Sequence, residues 1–162
     1  MASFGDRELD RIPALLGLAE ELSGSYFKLS SFDPARYPFD VATLRELDAR
    51  EIATGVFAQV TRHEAPALRR HHYRICLQDH NVLEALQRGP VALDPLLLYV
   101  LTHELCHVVR FCDYRQLFDA PDDGERAAEE ARVHRMTSEI LAPLRDRGVR
   151  DVMDLYAEHR AR

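Results

Sequence analysis

The sequence predicts an α+β fold, on three observations. Two stretches near the middle, "IATGVFAQVTRH" and "HHYRICLQ", alternate in polarity and are rich in β-formers, the pattern of half-buried strands. Longer stretches on both sides carry apolar residues at helical spacing. No repeat, low-complexity run or linker interrupts them, so a single domain over residues 1–162 is expected.

Each element has a local cause. "RELDRIPALLGLAEELSG" sets Ile12, Leu15, Leu16 and Leu18 opposite its charges, which predicts a helix closing near Gly24. Pro34 and Pro38 make "SSFDPARYPFD" a loop, and Asp40 is placed to cap a short helix through Leu47. The two strand stretches, joined by "EAPALRR", form an antiparallel pair. "DHNVLEALQRG" reads as a short helix capped by Asp79 and closed by Gly89. In "ALDPLLLYVL", Asp94 takes the N-cap and Pro95 the first helical position, starting a helix that runs to about Cys112. A second long helix follows from about Gly124 to Leu141, with Glu125 in its first turn and Pro143 beyond its end. "VRDVMDLYAEHRAR" closes the chain as a helix.

Bulk properties narrow the partners. With 46% hydrophobic and 30% charged residues the composition is that of an ordinary globular protein. A net charge of −6 offers no broad basic surface, so neither nucleic acid nor a membrane is expected as partner. The start lacks a basic-then-apolar leader, and the longest apolar run is too short and too polar to span a bilayer. Cys76, Cys106 and Cys112 form no CxxC pair, which predicts reduced thiols, a cytoplasmic setting and no zinc–thiolate cluster.

Chemistry concentrates in the most apolar stretch, "LLLYVLTHELCHVVRF". Burying polar groups there costs about 2–7 kcal/mol each unless something compensates. His103 and His107 are four apart, so on a helix they share one face. Two imidazoles so placed can hold one Zn²⁺, and Glu104 lies roughly 100° round the helix, beside the metal rather than on it. There it can act as general base toward an attacking water. With 8 histidines in 162 residues, a shuffled chain gives this H-E-x-x-H pattern about 0.03 times.

A third ligand is required. Asp113 is six residues beyond His107, but the glycine that would let the helix turn back before it is replaced by Arg110. "EEARVH" on the next helix is better placed: Glu130 and His134 share a face flanked by Ala127, Ala131 and Thr137. Glu129 falls instead on the face of Val133, Met136 and Ile140. Without the upstream motif, both glutamates would read as a solvated helix face. A carboxylate di-iron site would need a second E-x-x-H, which the chain lacks.

"HELCH" followed by "EARVH" resembles the gluzincin branch of the zincin metallopeptidases. The resemblance covers Asp94 to Leu141 and implies a zincin-like α+β fold. In such a fold a small antiparallel sheet packs on the H-E-x-x-H helix, and a second helix completes the metal site. It implies Glu130 as ligand, with His134 standing where the family carries an aspartate that supports a ligand histidine. The reverse assignment, with His134 as ligand and Glu130 supporting, stays open. It also implies an edge strand that aligns extended substrates, for which "HYRICLQ" is the candidate.

The expected activity is zinc-dependent hydrolysis of a peptide or protein substrate, with one Zn²⁺ per chain on His103, His107 and Glu130 or His134, and Glu104 as base. A non-catalytic metal-binding or interaction domain, and a small-molecule amide hydrolase, are the alternatives. Tyr99, Tyr114 and His63, His71 and His72 near the hairpin turn are candidates for stabilising an oxyanion. Those histidines, His80 and His159 otherwise read as ordinary surface or loop residues. Cys106, roughly opposite the zinc face, and Cys76, at strand-core spacing, read as small buried residues.

Overall fold

The structure, a computed structural model, describes residues 1–65, 70–116, 118–119, 122–144 and 147–160. Helix α1 spans Asp6–Tyr26, and strand β1, Phe39–Ala42, leads into short 3₁₀ turns at Leu44–Glu46 and Ala49–Glu51. Strands β2 (Ala58–Ala65) and β3 (Arg70–Leu77) precede α2 (Asp79–Arg88), α3 (Leu93–Cys112), α4 (Asp123–Leu141) and α5 (Arg147–Arg160). The fold is therefore α+β. The turn at 66–69 and the side chain of His159 lie outside the described residues.

Helix α3 organises the molecule, because every residue from Leu96 to Phe111 is buried. A helix that is apolar all round must be covered on every side, and α1, α4, α5, β2 and β3 all pack against it. Each fully buried leucine, such as Leu97, Leu101 or Leu105, contributes about 1.5–3 kcal/mol. On the sheet, Tyr73 stacks on Phe111 with ring centres 5.4 Å apart, so it faces α3 and the core with Ile75 and Leu77. Alternation then turns His72, Arg74 and Cys76 to the other face.

Several expectations need correction. The predicted short helix from Asp40 is strand β1, paired in parallel with β3. The Asp40 carboxylate is taken by His72 and Arg74 at 3.1 and 3.2 Å, and Thr43 caps the turn that follows, paired with Glu46. The sheet is accordingly mixed, in the order β1-β3-β2, rather than antiparallel throughout. The β2–β3 pair is antiparallel as expected. However, "HYRICLQ" lies in the central strand, and β2 is an edge strand.

Two caps also move. Helix α3 starts from Ala92, because Asp94 is used by Arg11, whose Nε and Nη2 donate to its carboxylate at 3.1 and 3.0 Å. Helix α2 starts from Gln78, while buried Asp79 accepts the N–H groups of Phe4 (2.7 Å) and Leu44 (3.0 Å). Gly89 closes α2 at φ 63°, a value that glycine adopts without strain. Asp122 caps α4 by accepting the N–H of Glu125 at 2.7 Å.

Candidate metal centre

The α3 motif and the α4 motif meet. His103, Glu104, His107 and His134 are buried, and Glu130 reaches them from α4. Its Oε1 lies 2.9 Å from His107 Nε2 and its Oε2 lies 3.3 Å from His103 Nε2. Donor atoms of a tetrahedral zinc site, each 2.0–2.1 Å from the metal, sit about 3.3 Å apart. His103, Glu130 and His134 each bring one donor atom within 4.8 Å of the others, and so do His103, Glu104 and His107. All five residues singled out in the sequence line one cavity of about 600 Å³.

The donor set fits a divalent metal on one observation above the rest. Buried His103 Nε2 has no hydrogen-bond partner among the described residues; Glu130 stands at ion-pair distance from it without hydrogen-bond alignment. A buried nitrogen whose hydrogen bond is poorly aligned leaves bonding capacity that a ligand could use. The outer ring nitrogens, by contrast, are all engaged. His103 Nδ1 donates to Glu104 Oε1 at 3.1 Å, His107 Nδ1 meets Gln116 Oε1 at 2.9 Å, and His134 Nδ1 shares a hydrogen bond with the Tyr99 hydroxyl at 2.9 Å. Engaging the outer nitrogen is how proteins orient an imidazole toward a metal.

Electrostatics follow from this crowding. Burial disfavours an imidazolium at His103, yet the carboxylates of Glu104 and Glu130 raise its pKa to about 9. Burial likewise opposes a charge on Glu130, but His103 and His107 outweigh it and hold the carboxyl well below its usual range. The negative charge is thus retained where a cation would sit.

Other candidates are placed elsewhere. Asp113 accepts from the Tyr37 hydroxyl at 3.1 Å and pairs with Arg36 at 3.2 Å. Glu129 is buried rather than solvated, held between Arg110 and Arg132. Cys106 is buried near Thr137 in the α3–α4 seam, where burial pushes its thiol up to about 12. Of the expected oxyanion donors, Tyr99 is engaged by His134 and Tyr114 is 92% exposed. His63, His71 and His72 lie on strands, not on a loop, and do not line the cavity.

Tyr156 and Gln116 are among the cavity residues that the sequence does not single out. Tyr156 of α5 packs its ring 4.4 Å from Tyr99 and 5.0 Å from His134. Burial, with Glu104 and Glu130 nearby, pushes its hydroxyl pKa well up, so it remains a proton donor. Gln116 lies in the segment after α3. The only sequence signal for either is its chemistry, because neither the register of α5 nor the path after Cys112 follows from local pattern.

No protein-family model, curated protein or solved structure matches this chain. The residues of the site therefore carry the functional argument.

Proposed function

We propose that the chain is a zinc-dependent hydrolase of zincin type that cleaves a peptide bond. The observation that carries the reading is the approach of two buried imidazole nitrogens to one carboxylate: His103 Nε2, without an aligned hydrogen bond, lies 3.3 Å from Glu130 Oε2, and His107 Nε2 lies 2.9 Å from Oε1. His103, His107 and Glu130 would hold the ion, with His134 beside them. When bound, zinc supplies a Lewis acid that acidifies a water and polarises a carbonyl.

The chain's own groups do the rest. Glu104, buried and lining the cavity, takes the proton of the attacking water and delivers it to the leaving amine. The Tyr156 hydroxyl donates to the substrate oxygen as negative charge develops there. Edge strand β2 borders the same cavity through Ala58, Gln59 and Val60, and an open strand edge suits the backbone of an extended peptide. That feature favours a peptide over a small amide. Among the described residues no helix is long and apolar enough to cross a membrane, so nothing in them requires a lipid-embedded substrate.

The test pairs metal content with turnover. Wild type should carry near one zinc per chain by elemental mass spectrometry and cleave members of a peptide library read by mass spectrometry. Glu104→Gln should keep the zinc and lose roughly 10²- to 10⁴-fold in rate. Zinc-free wild type after metal is added back overturns the metal site; unchanged cleavage by the variant overturns the role of Glu104. Zinc without cleavage by wild type would leave a metal-binding domain.

A further inference from the structure

We infer that Gln116 is the positioning residue of His107, holding its imidazole so that Nε2 faces the metal side. The inference rests on the metal reading above. The Oε1 of Gln116 lies 2.9 Å from His107 Nδ1, and a carbonyl oxygen only accepts. In a neutral, metal-binding His107 the proton would stay on Nδ1, leaving for the ion the Nε2 that here meets Glu130 Oε1 at 2.9 Å.

The path that delivers Gln116 is built into the chain. Helix α3 ends as Asp113 N donates to Val109 O at 2.9 Å, and Tyr114 then takes φ 57°. The chain reverses there, so Arg115 N and Gln116 N both reach back to Arg110 O, at 2.8 and 3.3 Å. The Arg110 side chain fastens the turn from the other side. It is buried, its Nη2 donates to Arg115 O at 3.1 Å and its Nε to Glu129 of α4. Gln116 is thereby fixed to both helices that supply the candidate ligands, nine residues beyond the imidazole it orients.

This resolves an anomaly of the motif. Arg110 occupies the position where a glycine would let the helix break, yet the chain still doubles back, four residues later. What it returns to the site is Gln116 rather than Asp113, whose carboxylate is held by Tyr37 and Arg36. The other two outer nitrogens are served from α3 itself, by Glu104 and Tyr99. Gln116 alone comes from an irregular segment, so its effect is separable from the helix packing.

The experiment uses the full chain with zinc as the probe. Dissociation constants are taken by chelator competition for wild type, Gln116→Leu, which keeps bulk and loses the acceptor, and Gln116→Glu, which keeps an acceptor. The leucine variant should bind zinc roughly 10- to 100-fold more weakly, and the glutamate variant at least as tightly as wild type. In zinc-loaded, ¹⁵N-histidine-labelled protein, the exchange-protected proton assigned to His107 Nδ1 should be present in wild type and Gln116→Glu and absent in Gln116→Leu, while that of His103 Nδ1 persists in all three. Normal zinc affinity in Gln116→Leu overturns the role of Gln116 alone. Failure of wild type to take zinc overturns the metal reading and this inference together. If the leucine variant does not fold, weaker binding by Gln116→Glu than by wild type overturns the inference by itself.

Discussion

Among the described residues, two clusters of histidine and glutamate invite comparison, one between α3 and α4 and one on the face of the sheet turned away from α3. In the second, Glu51 Oε2 accepts from Thr61, His63 and Cys76 at 3.1–3.3 Å. Arg74 lies 3.7 Å from Glu51 Oε1 and joins Asp40, which also meets His72. By residue type the clusters are alike, and the second even adds a thiol. They differ in what is left over. Around Glu51 the polar groups satisfy one another, and its donors do not converge as a metal-sized set among the described residues. In the first, outer nitrogens are paired, two overlapping triads, His103–Glu130–His134 and His103–Glu104–His107, bring donor atoms within metal reach, and His103 Nε2 lacks an aligned hydrogen bond. A binding site is defined by donor capacity remaining after internal hydrogen bonding, not by the presence of His and Glu.

The strongest way to break this comparison is metal content. His107→Ala should abolish zinc binding, whereas His63→Ala should retain near one zinc per chain by elemental mass spectrometry. Equal loss in both would erase the distinction. Within the first cluster, Glu130→Ala should lose more zinc than His134→Ala, and the reverse order would make His134 the ligand.

A smaller effect sharpens the structural role of the second cluster. Glu51→Ala leaves Thr61, Cys76 and His63 short of an acceptor and should cost about 1–3 kcal/mol in urea unfolding. Burial opposes the Glu51 charge, but hydrogen bonds from Asp48, Cys76, Thr61 and His63 hold its pKa below the usual 4.5. An acid lowered in the folded state contributes stability above its unfolded pKa and loses it as pH falls through the folded one. The gap between wild type and Glu51→Gln should therefore be complete at neutral pH and narrow below about pH 4. A gap independent of pH would show that the carboxylate charge does not matter there.

The smallest effect belongs to the turn that joins the two helices of the site. Tyr114 holds φ 57° while 92% exposed, so its side chain gains little burial for its strain. Tyr114→Gly should raise stability, by no more than about 1 kcal/mol, and leave zinc affinity unchanged. A clear loss of stability would show that the side chain has a partner in solution.

Much of the first cluster is legible in the sequence alone. Residues His103, Glu104 and His107 follow from a spacing of four on a strongly apolar helix, because helix geometry alone sets their common face. Glu130 and His134 follow the same way from α4. The Arg110 position was legible as an irregularity, but its consequence was not. That consequence depends on a left-handed residue at Tyr114 and on a long-range pair with Glu129, neither of which leaves a periodic trace. The short helix expected at Asp40 failed for a related reason: its side chain found His72 and Arg74, more than thirty residues away, before it could serve as a cap.

The division is one of range. Local sequence determined the α+β class, the extents of the major helices, the β2–β3 pairing and the faces on which His103, His107, Glu130 and His134 lie, because periodicity and most caps act within a few residues. The tertiary structure decided strand order, the insertion of β1 beside β3, the arrival of Tyr156 from α5 and the return of Gln116 to His107. Those depend on which buried surfaces and polar groups satisfy one another across the fold. A one-dimensional pattern carries the demand for partners but not their address.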